Sequence, residues 1–413
     1  MPLDRDPHDR SKGVSQRATI VKIVLSVVAI VAVAAASVYF IRHRPASAAP
    51  TPPDGPTADA TASPTAPPAA PAACGDGEAL LSQMSRRDQL AQLLMVGVTG
   101  ADDARQVVTD DHVGGIMIGS WTDLTMLGDP LKEIAAQASP LPLAVSTDEE
   151  GGRVSRLKSI IGVQDSARVL AQTTSPGEVY QIALRRGQDM RNLGITVDFA
   201  PVADVSDQDD DTVIGDRSFS NDPQKVIEYA GAYARGLRDA GVTPVFKHFP
   251  GHGHASGDSH LGGVVTPPLS ELQTDDLIPY QRLLTMVPEA AVMVGHMQVP
   301  ELTGTDPASL SPAAYQLLRA GTPYGGTPFN GVVFTDDISS MGAINQNYTV
   351  AQAALKALQS GADIALWITT DEVPGVLDGL EAAVDAGTLD MKSVASSVLR
   401  IAAIKGKLPV CGG

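Results

Sequence analysis

Cysteine is nearly missing from this 413-residue sequence, which has Cys74, Cys411 and no others. That excludes a disulfide framework standing in for a hydrophobic core, and the spacing has no metal-site character. The pair brackets everything that reads as globular. If that part lies outside the cytoplasm, a disulfide joining its two ends is expected. Cys74 is a poor lipid-attachment cysteine, because PAAC lacks the apolar residue three positions before it. Aromatics make up only 4%, which fits a small closed pocket better than a long groove paved with stacking rings. Basic residues are few as well: 30 Lys and Arg stand against 47 Asp and Glu, a net charge of −17. Residues 1–44 carry seven of the bases and three of the acids, so the remainder sits near −21, by simple charge counting. Nucleic acid and anionic lipid both need a basic stripe, so neither is expected as a partner of the globular part. No GxGxxG opens a nucleotide-binding turn and no HExxH offers a helix-borne metal site.

One charge-free run is present near the start: IVLSVVAIVAVAAASVYFI, residues 23–41. At 1.5 Å per residue these ~19 residues reach roughly 30 Å, the thickness of a bilayer's hydrocarbon. More bases precede the run than come after it, which sets the N-terminus in the cytoplasm. A cleaved signal peptide ending at ASA, 46–48, is the competing reading. Arg42, His43 and Arg44 stand between the run and that site, which favours an uncleaved signal anchor. Residues 45–73 form a Pro/Ala/Thr tract that cannot build a core and reads as a semi-extended spacer. The expected organisation is a cytoplasmic tail over 1–19, a transmembrane anchor over 20–42, a disordered linker over 43–74 and a single domain over 75–413.

Within that domain short apolar runs alternate with amphipathic stretches. Candidate strands are 92–98, 114–120, 142–148, 195–202, 243–249, 290–297, 331–336 and 363–368. The clearest helical patterns, 177–194 and 222–241, begin near an acidic residue and end in glycine. About eight near-continuous apolar strands alternating with helices predict an α/β fold, a (β/α)8 TIM barrel, over a doubly wound sheet. The polar residues Asp148, Lys247, His248, His296 and Asp336 fall at C-terminal strand ends, where such a barrel keeps its chemistry.

Three constellations stand there. KHFPGHGHASGDSH, 247–260, holds His248, His252, His254 and His260, half of the chain's eight histidines, with Asp258. A metal site is the rival reading, but the glycines make the segment a loop with no metal-ligand spacing. An Asp258–His260 dyad on a glycine-hinged loop fits better: the aspartate fixes the imidazole tautomer and leaves the other nitrogen to exchange a proton. In GVVFTDD, Asp336 ends a buried strand and faces the barrel mouth. Asp337 turns into the next loop, where it suits the cap of a helix, since two carboxylates in one pocket raise each other's pKa. In STDEEGGRVSRL, Asp148 ends a strand, and Arg153 or Arg156 can reach back to it. An aspartate beside an arginine can hold sugar hydroxyls, and a structural ion pair is an equal reading for Arg153.

TDEEGGRVSR, IGDRSF, KHFPGHGHASGDSH and VVFTDD together resemble the bacterial β-N-acetylglucosaminidases of glycoside hydrolase family 3, over roughly residues 78–406. The resemblance implies Asp336 as nucleophile, His260 as general acid/base with Asp258 as its partner, and Asp148, Arg156, Arg217, Lys247 and His248 as substrate-holding residues. It implies a retaining double displacement on N-acetyl-β-glucosaminides, with no cofactor and no metal. The membrane anchor moves the expected substrate to peptidoglycan-derived glycans such as muropeptides, and a monomer is expected. A family 3 β-glucosidase, an N-acetylglucosaminide phosphorylase and a Schiff-base aldolase using Lys247 are the alternatives. Two departures stand out: Glu149 where the family commonly has glutamine, and His254 after GHG.

Overall fold

Valine, isoleucine and leucine dominate the eight apolar runs, and runs that are buried on both faces suit parallel strands covered by helices. The computed structural model describes residues 77–408. In it these runs become β1 (Leu94–Val98), β2 (Gly115–Ile118), β3 (Ala144–Thr147), β4 (Val197–Asp198), β5 (Thr243–Phe249), β6 (Ala291–Val294), β7 (Val333–Asp337) and β8 (Ile364–Trp367). Each pairs in parallel with the next, and β8 returns to β1 through Leu94–Ala365 and Met95–Leu366 to close the barrel. The expected TIM barrel is therefore the fold; β5 keeps the whole run 243–249, and most other strands are a few residues shorter than their apolar runs. Inside the barrel, Phe199 and Phe334 meet edge to face at 5.4 Å.

The helices form where capping chemistry starts them. Helix Pro176–Leu193 opens with a Ser175–Glu178 capping box and stops at Gly194 in the left-handed conformation. Helix Pro223–Asp239 is capped by Asp222. The two pack closely because Gly236 has no side chain: a Cβ there would sit 2.5 Å from the Tyr180 carbonyl oxygen.

The apolar run 23–41, the linker and both cysteines lie outside the described residues. Among the described residues, no helix is long and apolar enough to cross a membrane.

Candidate active site

The C-terminal strand ends and the loops after them surround a cavity of about 550 Å³. All eight residues named from the sequence line it: Asp148, Arg156, Arg217, Lys247, His248, Asp258, His260 and Asp336.

One wall is a buried charge lattice. Asp148 comes directly after β3, and Lys247 lies within β5 at 2% exposure. Lys247 Nζ donates to Asp148 Oδ1 at 2.7 Å and lies 2.6 Å from Glu150 Oε1. Glu150 also takes both arms of Arg217, at 2.8 Å each, a bidentate pairing that fixes the guanidinium plane. Arg156 approaches Asp148 at 3.6 Å. Burial alone would lower the Lys247 pKa, but the Asp148 and Glu150 charges outweigh it and hold the ammonium above its ordinary value. A Schiff-base lysine needs a neutral amine, so the aldolase reading fails at this residue. Glu150 is likewise held well below the carboxylate range: burial opposes ionisation, and Arg217 and Lys247 overcome it.

His248, adjacent to Lys247, is oriented by Asp204. Asp204 Oδ2 meets His248 Nδ1 at 2.7 Å, and Oδ1 accepts the backbone N–H of both His248 and His252. The ring's Nε2 lies 3.5 Å from Arg217. A carboxylate on one imidazole nitrogen sets the tautomer and aims the other nitrogen.

Asp336 lies near the end of β7, and Asp337 N–H donates to its Oδ1 at 2.9 Å. Burial disfavours the anion, yet His296, His248, that amide and Lys247 together keep Asp336 below the ordinary carboxylate range. His296 is itself held neutral by burial; it bonds Ser309 Oγ at 2.6 Å and the Asp337 carbonyl at 2.8 Å. Asp337 also lines the cavity, but its carboxylate closes a turn instead of capping a helix: it accepts from Ser339 N–H at 2.8 Å and from both Ser339 and Ser340 hydroxyls.

His260 and Asp258 occupy the rim. Asp258 Oδ1 meets His260 Nδ1 at 2.7 Å and accepts the His260 N–H at 2.9 Å, leaving Nε2 free. The loop rests on the helix Gly342–Asn345, shortly after Asp336, through Gly342 N–H to the His260 carbonyl and Ala343 N–H to the Ser259 carbonyl. The glycines of this segment divide their work. Gly251 and Gly257 adopt positive φ, 132° and 112°, whereas Gly253 packs so tightly on the Val205 carbonyl that no side chain fits. Gly253 serves close approach, not hinging.

Glu150, Asp204 and a role for His296 escape sequence reasoning. Alternation offers a signal for the first: Asp148 and Glu150 are two apart, so both face one side while Glu149 faces the other. Glu149 is fully buried and accepts from Arg186 Nε at 3.1 Å, Ser155 Oγ at 2.5 Å and Leu157 N–H at 2.7 Å. Arg186 supplies the charge that a glutamate at this departure needs. Arg153 does not reach Asp148; it pairs with Asp216 at 3.0 Å and bonds carbonyls of 212–214. His254 pairs with Asp276 at 3.0 Å, and their ligand atoms and that of Asp275 lie within 4.8 Å of one another.

A half-buried acid held ionised, a histidine dyad at the rim and a charge lattice between them suit reaction at a sugar's anomeric carbon. A family model described as the glycosyl hydrolase family 3 N terminal domain matches residues 85–404. The chain belongs to glycoside hydrolase family 3. It is 61% identical to the beta-hexosaminidase LpqI of Mycobacterium tuberculosis, over 82% of this chain and 88% of that one. A solved family 3 glycosyl hydrolase from Mycobacterium smegmatis is 69% identical with TM-score 0.78, covering 79% of this chain and 99% of that one. The family 3 β-N-acetylglucosaminidase from a Paenibacillus species aligns at 33% identity and TM-score 0.72, over 78% of this chain and 62% of that one. The family 3 match covers nearly all of the residues that build the barrel.

Proposed function

We propose that this family 3 enzyme removes terminal N-acetyl-β-glucosamine from glycans by a retaining double displacement. The observation that carries the reading is that an ionised, half-buried Asp336 and the His260–Asp258 dyad line the same cavity. Asp336 attacks C1 while His260 Nε2 protonates the departing glycosidic oxygen, forming a glycosyl–Asp336 ester. His260 then takes a proton from water, which attacks C1 and releases the sugar with its configuration retained. Lys247, His248, Arg217 and Asp148 hold the hydroxyls of the sugar being cleaved. LpqI is a beta-hexosaminidase and the Paenibacillus neighbour a β-N-acetylglucosaminidase, which supports an N-acetylglucosaminide as substrate.

Residues 23–41 act as an uncleaved membrane anchor, with the linker extending the catalytic domain outside the cytoplasm and a Cys74–Cys411 disulfide tying its ends. The charge-free run, the bases before it and the Pro/Ala/Thr tract support that placement. It makes peptidoglycan-derived glycans the substrate pool.

Parallel assays with an aryl N-acetyl-β-glucosaminide and the matching aryl β-glucoside, each with and without phosphate, test the activity. Turnover of the N-acetyl substrate to free sugar, at least ~100-fold faster than the glucoside, is the expected result. A preference for the glucoside makes it a β-glucosidase, and sugar 1-phosphate as main product makes it a phosphorylase.

A further inference from the structure

His252 has no part in the double displacement, yet it is built into the cavity wall at 3% exposure. Its backbone N–H donates to Asp204 Oδ1 at 2.8 Å, so the carboxylate that orients His248 also anchors His252. From there the ring reaches to the acid/base loop, where Nε2 meets Ser259 Oγ at 3.2 Å. Ser259 is itself 2% exposed and stands between Asp258 and His260. On its other side this tripeptide is held by backbone bonds from Gly342 and Ala343. Among the described residues, Ser259–His252 is the one bond that ties residues 258–260 to a side chain outside them.

We propose that His252 is a positioning residue for proton transfer, holding the Asp258–His260 pair over the cavity through Ser259. The proposal rests on His260 being the acid/base group. Burial, with the neighbouring His248 ring, lowers His252 to about 4. The ring is then neutral at working pH and sets no second cation beside an imidazolium at His260. A buried histidine kept for packing has both ring nitrogens satisfied. Here Nε2 goes to the loop and Nδ1 has no protein partner. Because His252 and His248 share Asp204, the sugar-holding wall and the proton-transfer loop are registered on one buried carboxylate.

The test uses a series of aryl N-acetyl-β-glucosaminides whose leaving groups become progressively more basic. The variants are His252→Ala, Ser259→Ala, their double, His252→Gln and His260→Ala. His252→Ala and Ser259→Ala should each lose about tenfold in kcat/KM on the most basic leaving group and under about threefold on the most activated one. The double variant should be no worse than its weaker parent within about twofold, because both substitutions break one bond. His252→Gln, which keeps an amide near the Nε2 position, should recover most of the loss. Losses that are equal across the series, or that multiply in the double variant, overturn the proposal. Ser259→Ala keeps it falsifiable if His252→Ala unfolds. His260→Ala separates the two claims: a leaving-group dependence there without one in His252→Ala sinks the positioning role alone, and its absence in His260→Ala sinks the acid/base reading beneath it.

Discussion

Glu150 carries more of the site than its place in the sequence suggests. Its carboxylate takes Lys247 at 2.6 Å and Arg217 in a two-pronged pairing, and it is almost fully buried. Removing its charge leaves Arg217 without its ion-pair partner and Lys247 with Asp148 alone, and would let both side chains drift from their places in the cavity wall. Glu150→Gln keeps the shape and removes the charge. It should lower kcat/KM about 10- to 100-fold, mostly through KM, as steady-state kinetics would read; an unchanged KM would show that the lattice holds the barrel and not the substrate. The cavity residues at strand ends, Asp148, Lys247 and Asp336, are legible because an ionisable group at the end of an apolar strand has few other reasons to be there. Asp204 is not legible. It lies in an irregular segment among several acids, and only the fold reveals that His248 turns toward it.

Among the elements, the eight strands are visible as runs of β-branched and aliphatic residues, and the two long helices as capped amphipathic patterns. Their ends are less visible: β4 is two residues long within an apolar run of eight, and past it the pairing continues only as an isolated bridge between Val202 and Lys247 and a few single backbone bonds. The short helix Gly342–Asn345 has no readable pattern at all, yet it carries the loop that holds His260. A Cβ on Gly342 would lie 2.8 Å from the carbonyl carbon and oxygen of Leu261 and 3.0 Å from Gly262 N. Those are backbone atoms, so the loop must move. Gly342→Ala should therefore reduce turnover of a substrate with a poor leaving group by about tenfold while shifting Tm by only a few degrees. Full activity toward such a substrate would mean that the loop finds its working position without this contact.

At the scale of the molecule, the barrel is locked at the end opposite the cavity by a charge cluster that sequence patterns do not announce. Asp363, fully buried just before β8, accepts from Arg319 at 2.7 Å, Arg400 at 3.0 Å, Ser397 Oγ at 2.7 Å and Val333 N–H at 2.8 Å. It joins β7 and β8 to helices Pro312–Ala320 and Met391–Ile404. Asp363→Ala leaves two largely covered arginines without their anion, at a cost of about 3–5 kcal/mol, and should lower Tm by roughly 5–15 °C in a calorimetric scan. An unchanged Tm would place the barrel's closure in the apolar core alone. The catalytic end and the locking end are thus separate, which lets the loops above the barrel vary while the strands below them stay fixed.

The central claim is that Asp336 becomes covalently joined to the sugar, and mass spectrometry tests it most directly. The His260→Ala variant, mixed with an activated aryl N-acetyl-β-glucosaminide, should form the glycosyl-enzyme faster than water can cleave it. Proteolysis and peptide mapping at mildly acidic pH should then find one N-acetylhexosamine on the peptide containing Asp336, and none when Asp336 is replaced by asparagine. An adduct on any other residue, or turnover that persists in Asp336→Asn, would contradict the covalent mechanism.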